Sequence, residues 1–463
     1  MRNGPLCSRH VSTAQGSEKR ETDQRLLALW AITAAFTAYF CMYAFRKPFQ
    51  AVAYEGYSGQ FLLTLKTVFV LSRLFGYTIS KYVGVKVCSE ITKKYRLPVL
   101  IGLILTAELA LVLFGLLPVK LKWIAIFLNG LPLGMVWGMC VLYLEGRKIT
   151  EFLLAGLACS YIIASGIVKD AGRFLLSHLQ LEVFWMPAVT GLVFLPAFLL
   201  FAWLLSHMPP PTKEDEDKRT YRRPMTGRER WAFLRFFWVG IVLQLSLYFF
   251  ITAFRDVRDA YSAEIWKGLG LSEVPAIFSR SEMVVGFVAL TALVIIRFFD
   301  SRKWGVIPNL ACQILGFLVL GGGTLAFGYH AISGFQWMVL IGIGGYLAYV
   351  PCDTIFYERV IARASWVSTA LFMTYVMDAG GYTGSVVLQL FMNYHAPKAL
   401  TEGGSAPKDY TFYVKFFEYY GYFLAAIGLI VIAFNIFYFP YRARVRRRMI
   451  AQGRAPAVPS QAS

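Results

Sequence analysis

The sequence predicts an all-α polytopic membrane protein in which twelve transmembrane helices form two pseudo-symmetric six-helix bundles. Of its 463 residues, 57% are hydrophobic and only 16% are charged, whereas about a quarter of the residues of a soluble domain are charged. Twelve stretches are apolar over the roughly 20 residues that a membrane span requires. The pattern of the first six stretches recurs in the last six, which indicates an internal duplication.

The twelve predicted spans follow one another with short polar loops between them. The third, sixth and twelfth are plain apolar stretches, whereas the second and the fifth contain charged residues. Almost no sequence lies outside the spans, so a sizeable soluble domain is not expected. The spans begin near residues 26, 62, 97, 123, 150, 184, 233, 281, 307, 336, 366 and 417.

A polar segment, HMPPPTKEDEDKRTYRRPMTGRER, divides the spans into six and six. Its proline cluster and its run of charges are typical of a linker. The predicted parts of the chain are therefore an N-terminal arm (1–25), a first bundle (26–206), the linker (207–230), a second bundle (231–440) and a basic tail (441–463).

The net charge of +19 does not call for a nucleic-acid partner, and none is expected. Basic residues concentrate in the N-terminal arm, in the loops on the same side and in the tail RARVRRRM. This distribution is the positive-inside bias that orients membrane proteins. We expect both termini on the cytoplasmic side of the plasma (inner) membrane, with the lipid bilayer as a partner and the tail near anionic headgroups.

The sequence shows no motif of an enzyme or a metalloprotein. The seven cysteines form no CxxC pair, so neither a metal site nor a disulfide framework is predicted. No HExxH, GxSxG or P-loop motif occurs, and the glycine-rich stretches lack the strand–turn–helix context of a nucleotide site. An enzyme is therefore not expected, and neither is a cofactor.

Charged residues also recur at a nearly constant spacing across the linker. Arg46 and Arg255 are 209 residues apart, and each follows an Ala-Phe pair. A duplicated six-helix unit, with a binding site between its halves near the middle of the membrane, is the architecture of a secondary transporter. The other repeated landmarks are Glu90 with Asp300, Lys93–Lys94 with Arg302–Lys303, and Asp170 with Asp378.

Arg46 ends the first span, and two positions are open to it. It lies 20 residues beyond Leu26, about 30 Å along a helix, so its side chain could snorkel to the outer interface. However, Tyr39, Tyr43 and Arg46 form one stripe at i, i+4 and i+7. Pro48 should also bend the helix so that its polar end lines an interior. We favour a cavity, because a charge inside the membrane normally needs a partner or an aqueous space.

Arg255 repeats Arg46 in the second half, with Tyr248 seven residues before it. Two guanidinium groups that face each other repel when no ligand is bound, whereas a shared dianion accepts bidentate hydrogen bonds from both. Phosphate or carboxylate fits this arrangement. If Asp256 or Asp259 pairs with Arg255, the anion site is instead half neutralised.

The motifs YFCMYAFRKPF and GYTISKY resemble those of the organophosphate:phosphate antiporters of the major facilitator superfamily. Loops with an acid and a basic cluster, in which Glu90 or Asp300 is the acid, resemble a degenerate form of the superfamily signature. The resemblance implies a monomer that holds phosphate between Arg46 and Arg255. It also implies exchange of an organic phosphate for inorganic phosphate by a rocker-switch movement. The matching motif residues are Tyr39, Tyr43, Arg46, Lys47, Phe49, Tyr77, Ser80 and Lys81.

Two further charges have alternative interpretations. Tyr77 and Lys81 share a helical face at i, i+4, so Lys81 either lines the site or is an ordinary positive-inside anchor. Glu282 either carries a coupling proton or pairs with Arg280 or Arg255.

The repeated acids are candidates for gating. Asp170 is expected to pair with Arg173 at i, i+3. Because Asp170 recurs as Asp378, we expect a symmetric structural role at a gate. Glu90 and Asp300, in the equivalent loops, complete the set of predicted coupling and gating residues.

The sequence therefore predicts a secondary active transporter of a small anionic solute, and the family resemblance implies that this solute is phosphorylated. Two alternatives stay open: a non-transporting membrane sensor of a phosphorylated ligand, and a proton-coupled carrier of a carboxylate or peptide. The Glu282→Gln variant distinguishes proton coupling from phosphate exchange.

Overall fold

The computed structural model describes residues 26–27, 29–54, 57, 63–144, 150–209, 227–297, 299, 306–352, 356–357, 359–360, 371–397 and 409–452. Within these ranges the chain forms thirteen helices and no β-strand. Twelve are long, and one is a short helix between the seventh and eighth long ones. Asp300 lies outside the described residues.

The first half contains six helices. They are α1 (Leu29–Phe45), α2 (Leu65–Glu90), α3 (Lys93–Leu116), α4 (Lys122–Leu144), α5 (Thr150–Leu179) and α6 (Met186–Ser206).

The second half contains seven helices. They are α7 (Gly227–Ala260), the short α8 (Ser262–Gly268), α9 (Ile277–Arg297), α10 (Ile307–Gly328), α11 (Gly334–Tyr349), α12 (Leu371–His395) and α13 (Thr411–Ala451).

The twelve long helices correspond one by one to the predicted spans, and each begins within six residues of the predicted start. Seven of them are long and apolar enough to cross a membrane by length and composition alone. The helices α2 and α5 are not among the seven, which agrees with the charges seen in their sequences. Two helices extend beyond the predicted bundles: α7 begins inside the predicted linker, and α13 continues into the predicted tail.

Several helices begin at recognisable capping residues. Thr64 accepts a hydrogen bond from the backbone N–H of Thr67 at the start of α2. Ser333 and Gln336 form a capping box at the start of α11. Before α13, Asp409 accepts a hydrogen bond from the backbone N–H of Thr411 at 2.9 Å. Hydrogen bonding to Thr411 lowers the pKa of the exposed Asp409 carboxyl.

The two halves use the same helix pairs. In the first half α3 packs against α4 and α6, and in the second half the equivalent α10 packs against α11 and α13. The halves meet through two related contacts, α5 with α9 and α2 with α12. The internal duplication predicted from the sequence is thus visible in the packing.

The chain leaves α1 through a buried, irregular segment. The helix ends in a 3-10 turn at Tyr43–Phe45, and a second 3-10 turn, Pro48–Ala51, follows after two residues. All four residues of the second turn are buried. Pro48 was expected to bend the helix; instead the α-helix ends before it, because proline opens a new turn with its ring at the first position.

Candidate functional site

Arg46 lies within a group of tyrosine side chains, one of which, Tyr77, contacts Tyr382 of the second half. Its guanidinium carbon is 4.5 Å from the ring centroid of Tyr77 and 5.2 Å from that of Tyr43. One nitrogen, Nη1, donates to the Tyr43 hydroxyl at 3.4 Å, while Nε has no hydrogen-bond partner. The Tyr39 ring packs edge-on against Tyr43, with 5.7 Å between centroids. The structure therefore brings together the predicted stripe and Tyr77, and no carboxylate of the described residues pairs with Arg46.

One face of α2 contributes Arg73, Tyr77 and Lys81, spaced at i, i+4 and i+8. Lys81 donates to Asp378 of α12 at 2.6 Å, and its ammonium nitrogen is 4.9 Å from the Tyr382 ring centroid. Lys81 is therefore held by the second half and is not an isolated anchor. The Arg73 side chain is buried, and its Nε and Nη1 have no hydrogen-bond partner.

Sequence analysis missed Arg73. The spacing that singled out Tyr77 and Lys81 continues one turn earlier to Arg73, and extending it would have identified this residue.

Arg255 lies on α7 and already has a carboxylate partner. Its Nη2 and Nε donate to Asp256 Oδ1 at 2.8 and 3.2 Å, and its guanidinium carbon is 3.8 Å from the Tyr349 ring centroid. The other oxygen of Asp256 accepts from Ser385 at 2.8 Å. The neutralisation considered from the sequence therefore occurs, with Asp256 as the partner.

Tyr248 was predicted to contact the solute, but its side chain is fully buried. Its hydroxyl donates to the Tyr349 hydroxyl at 3.0 Å, and the two rings stack with 5.3 Å between centroids. Because the Arg255 guanidinium lies over the Tyr349 ring, Tyr248 supports the position of Arg255 through Tyr349.

Lys47 was also predicted to bind the solute, but the structure gives it a structural partner. Its ammonium group donates to Asp259 of α7 and to Gln50 Oε1, the latter at 3.3 Å. Asp259 also accepts hydrogen bonds from Lys169 and from Ser165 of α5, both at 2.6 Å. Lys47 and Lys169 share the Asp259 carboxylate, and this ion pair holds Lys47 at the interface between the halves.

Glu282 pairs with Arg258, at 3.0 Å, and not with Arg280 or Arg255, the two partners considered from the sequence. Arg258 of α7 lies close to Glu282 of α9 because both helices pack against α11. Arg258 also donates to the carbonyl of Met338 on α11. As a result Glu282 belongs to a buried ion pair within the second half.

The predicted Asp170–Arg173 pair does not form. Asp170 Oδ2 accepts both the backbone N–H and the hydroxyl of Ser279, each at 2.6 Å. Arg173 donates to the carbonyl of Ser272. Both side chains reach across to the second half, because α5 packs closely against α9. Glu90 is exposed at the end of α2.

The contacts between the halves are distributed unevenly along the bundle. We call the end at which α1 begins the terminal face, and the opposite end the far face. Lys81–Asp378 is near the terminal face, whereas the far face has the ion pairs of Asp259 and the buried pair Lys66–Glu264 at 2.6 Å. The far face also has the hydrogen bonds Thr67–Tyr261, Thr64–Asn393 and Asp170–Ser279. Among the described residues, the contacts between the halves lie mainly at the far face.

The charges of the site favour an anionic ligand. Arg46 and Arg73 have no carboxylate partner among the described residues, while the neighbouring lysines and Arg255 do. Guanidinium groups beside tyrosine hydroxyls provide several donors in a fixed geometry, which suits a carboxylate or a phosphate. Within the described residues, no group of three or more His, Cys, Asp or Glu side chains could hold a metal ion.

Residues 48–442 match the model of a protein family described as a family of unknown function, DUF5690. No curated protein matches the chain in sequence.

Solved transporter structures share the fold. A D-xylose–proton symporter superimposes with a TM-score of 0.57 at 15% identity, covering 90% of this chain and 98% of that chain. The nucleoside transporter NupG gives a TM-score of 0.55 at 14% identity, covering 88% and 99%. A bacterial homologue of the human lysosomal transporter Spinster, inward-facing and unoccupied, gives 0.55 at 12% identity, covering 91% and 98%. At these identities the likeness shows the fold alone, and it confirms the predicted twelve-helix, two-bundle architecture of the major facilitator type.

Proposed function

The chain belongs to the DUF5690 family and has the major facilitator fold, and from this premise we propose that it is a secondary active transporter of a small anionic solute. Alternating access between two bundles around a central site is the mechanism for which this architecture is suited. The solute binds between the halves, beside Arg46, and is released when the contacts of one face open and those of the other close.

The proposal rests on the observation that no carboxylate of the described residues pairs with Arg46. A charge at the middle of a membrane costs about 2.5–3.5 kcal/mol on insertion scales, so it normally has a partner or an aqueous space. Arg46 instead contacts aromatic rings and one hydroxyl, and the described residues supply no carboxylate to it. A bound anion supplies the missing negative charge.

We further propose that the solute is phosphorylated and that it exchanges with inorganic phosphate. The support is the resemblance of the first two spans to organophosphate:phosphate antiporters, together with the guanidinium–tyrosine geometry around Arg46. Arg255 is the second arginine of that resemblance, and a phosphate that reaches it has to compete with Asp256. The proposal includes a monomer in a plasma (inner) membrane, with both termini in the cytoplasm.

The test is uptake of radiolabelled phosphate into proteoliposomes that are preloaded with unlabelled phosphate. We expect exchange by the wild type and a loss of at least about tenfold in the Arg46→Lys variant. Lysine keeps the charge but loses the planar fork, and a hydrogen bond to a charged group contributes roughly 1.5–3 kcal/mol. Lys415→Met, which removes an exposed charge on α13, is the control and should exchange normally.

A folded wild type that does not exchange phosphate rules out phosphate as a substrate. Competition of labelled uptake by unlabelled carboxylates then decides whether the site accepts another anion.

A further inference from the structure

Arg73 is a buried arginine that the resemblance to known antiporters does not account for. Its side chain is 7% exposed, and neither Nε nor Nη1 has a hydrogen-bond partner. No ion pair connects it to any carboxylate of the described residues. A buried charge without a partner is strongly unfavourable, so a purely structural role gives no reason for an arginine here.

Arg73 and Arg46 have Tyr77 as a common neighbour. The Arg46 guanidinium carbon is 4.5 Å from the ring centroid of Tyr77, and Tyr77 is one helical turn from Arg73 on the same face of α2. The two arginines are close enough to interact electrostatically, and as like charges they repel. The site therefore has two adjacent positive charges in the first half of the chain.

The carboxylates nearest to Arg73 have other cations to neutralise. Asp256 and Asp259 lie within electrostatic range of it. However, Asp256 accepts from Arg255 at 2.8 Å, and Asp259 accepts from Lys169 at 2.6 Å and from Lys47. The two carboxylates already face three cations, so they leave no negative charge for Arg46 and Arg73, and the whole group keeps an excess of three positive charges.

We propose that Arg73 is the second guanidinium of the anion site, so that Arg46 and Arg73 together hold the solute on the first half. The neutral pair Arg255–Asp256 then faces the solute from the second half. This inference rests on the proposed function and specifies it: two adjacent guanidinium groups suit a dianionic head, such as a phosphate monoester or inorganic phosphate. The solute remains bound to the first half while the second half moves.

The experiment measures the thermal stability of the purified full-length protein in detergent over a series of inorganic phosphate concentrations. Binding to the folded state raises the melting temperature with ligand concentration. Arg73→Lys should raise the half-maximal phosphate concentration at least about tenfold, because it loses the fork of donors. Arg73→Met should abolish the phosphate effect and also raise the melting temperature without phosphate, because it removes one of two repelling buried charges.

Two comparisons make the result decisive. Lys415→Met should leave the phosphate response unchanged, and Arg255→Lys should weaken it less than Arg73→Lys does. A structural Arg73 predicts the opposite pattern: a lower melting temperature in Arg73→Met without phosphate, and an unchanged half-maximal concentration in Arg73→Lys. That pattern overturns the inference but leaves the transporter proposal intact. If phosphate does not raise the melting temperature of the wild type, phosphate is not the ligand and the inference fails as well.

Discussion

Arginine and lysine have different roles at the interface between the halves. The buried lysines of the first half that face the second half are each paired with a carboxylate. An ammonium is a compact charge that one carboxylate neutralises, whereas a guanidinium presents a planar fork of donors. Arg46 and Arg73, whose forks have no carboxylate among the described residues, are therefore the side chains available to a planar or tetrahedral anion.

Sequence predicted the part of the site that depends on short spacing along one helix. Tyr39, Tyr43 and Arg46 were identified from their i, i+4 and i+7 positions, and the structure places them together. The partners of Lys47 and Glu282 were not predicted. Lys47 pairs with a residue 212 positions away, and such a partner is fixed by how the bundles pack and not by local spacing.

A second buried polar side chain allows a test of stability at single-residue scale. Glu108 of α3 is 5% exposed, and neither carboxyl oxygen has a hydrogen-bond partner; it lies against Gly191 of α6. Leaving a buried polar group unsatisfied costs about 1–3 kcal/mol. Glu108→Met, which keeps the length of the side chain, should therefore raise the melting temperature of the purified protein by a few degrees.

The matched control for Glu108 is Glu264→Met. Glu264 is also buried, but it accepts from Lys66 at 2.6 Å. Its removal leaves the buried Lys66 ammonium without its carboxylate partner and should destabilise the protein by roughly 3–5 kcal/mol. A gain of stability in Glu108→Met together with a loss in Glu264→Met supports the interpretation of Glu108 as a buried carboxyl without a hydrogen-bond partner. A loss of stability in Glu108→Met contradicts it.

At the scale of elements, the closest contact between the halves is made by α5 and α9. Gly166 of α5 has no room for a side chain, since an added Cβ would lie 2.6 Å from the carbonyl oxygen of Phe278. Gly286 of α9 is similarly close to Ile163. Small residues allow helix backbones to approach closely in membranes, where packing and not hydrophobicity drives association.

The Gly166→Ala variant should therefore separate α5 from α9. Overpacking typically costs about 1–3 kcal/mol, so we expect a lower melting temperature and slower exchange. Gly102→Ala on α3 is the control, because an added Cβ there meets nothing within 4 Å; this change should be neutral or stabilise the helix by up to about 1 kcal/mol. If Gly166→Ala and Gly102→Ala change the melting temperature and the exchange rate equally, the close contact between α5 and α9 does not contribute to stability or exchange.

The sequence located the long helices but not their exact ends. Apolar length and the prolines and caps at helix starts were sufficient to place all twelve. The break after Phe45 was expected as a bend, because proline alone does not reveal whether the chain continues as a helix or as a buried turn. The turn is stabilised by tertiary contacts with α5 and α6, which one sequence does not show.

For the whole molecule, the internal repeat singled out two acidic residues that contact the opposite half, although a local partner, Arg173, was expected for Asp170. Asp170 and Asp378 were expected to have a symmetric role, and each accepts a hydrogen bond from the opposite half, Asp170 from Ser279 and Asp378 from Lys81. They lie at opposite faces, so the two related contacts fasten opposite ends of the bundle. The repeat does not predict the excess of ion pairs that the described residues form at the far face, since Asp259 and Glu264 have no counterparts among the repeated landmarks.

This excess leads to a prediction about the equilibrium between the two open states. Asp259 joins Lys47 and Lys169 to α7, so Asp259→Asn should weaken the far face and favour its opening. Asp378→Asn removes the pair with Lys81 near the terminal face, so it should favour closure of the far face. In the ligand-free protein, the equilibrium constant between the two open states changes tenfold for each roughly 1.4 kcal/mol by which a substitution changes their free-energy difference.

The measurement is the rate at which a membrane-impermeant maleimide labels Ala51→Cys, in a background in which the seven native cysteines are serine. Ala51 is 4% exposed in the buried turn at the far face, so labelling requires that face to open. Relative to the same protein with Asp259 and Asp378 intact, Asp259→Asn should label at least about tenfold faster, whereas Asp378→Asn should label more slowly. If both substitutions change the rate in the same direction, the ion pairs do not hold opposite faces. The two bundles then do not exchange access by the closure of one face as the other opens.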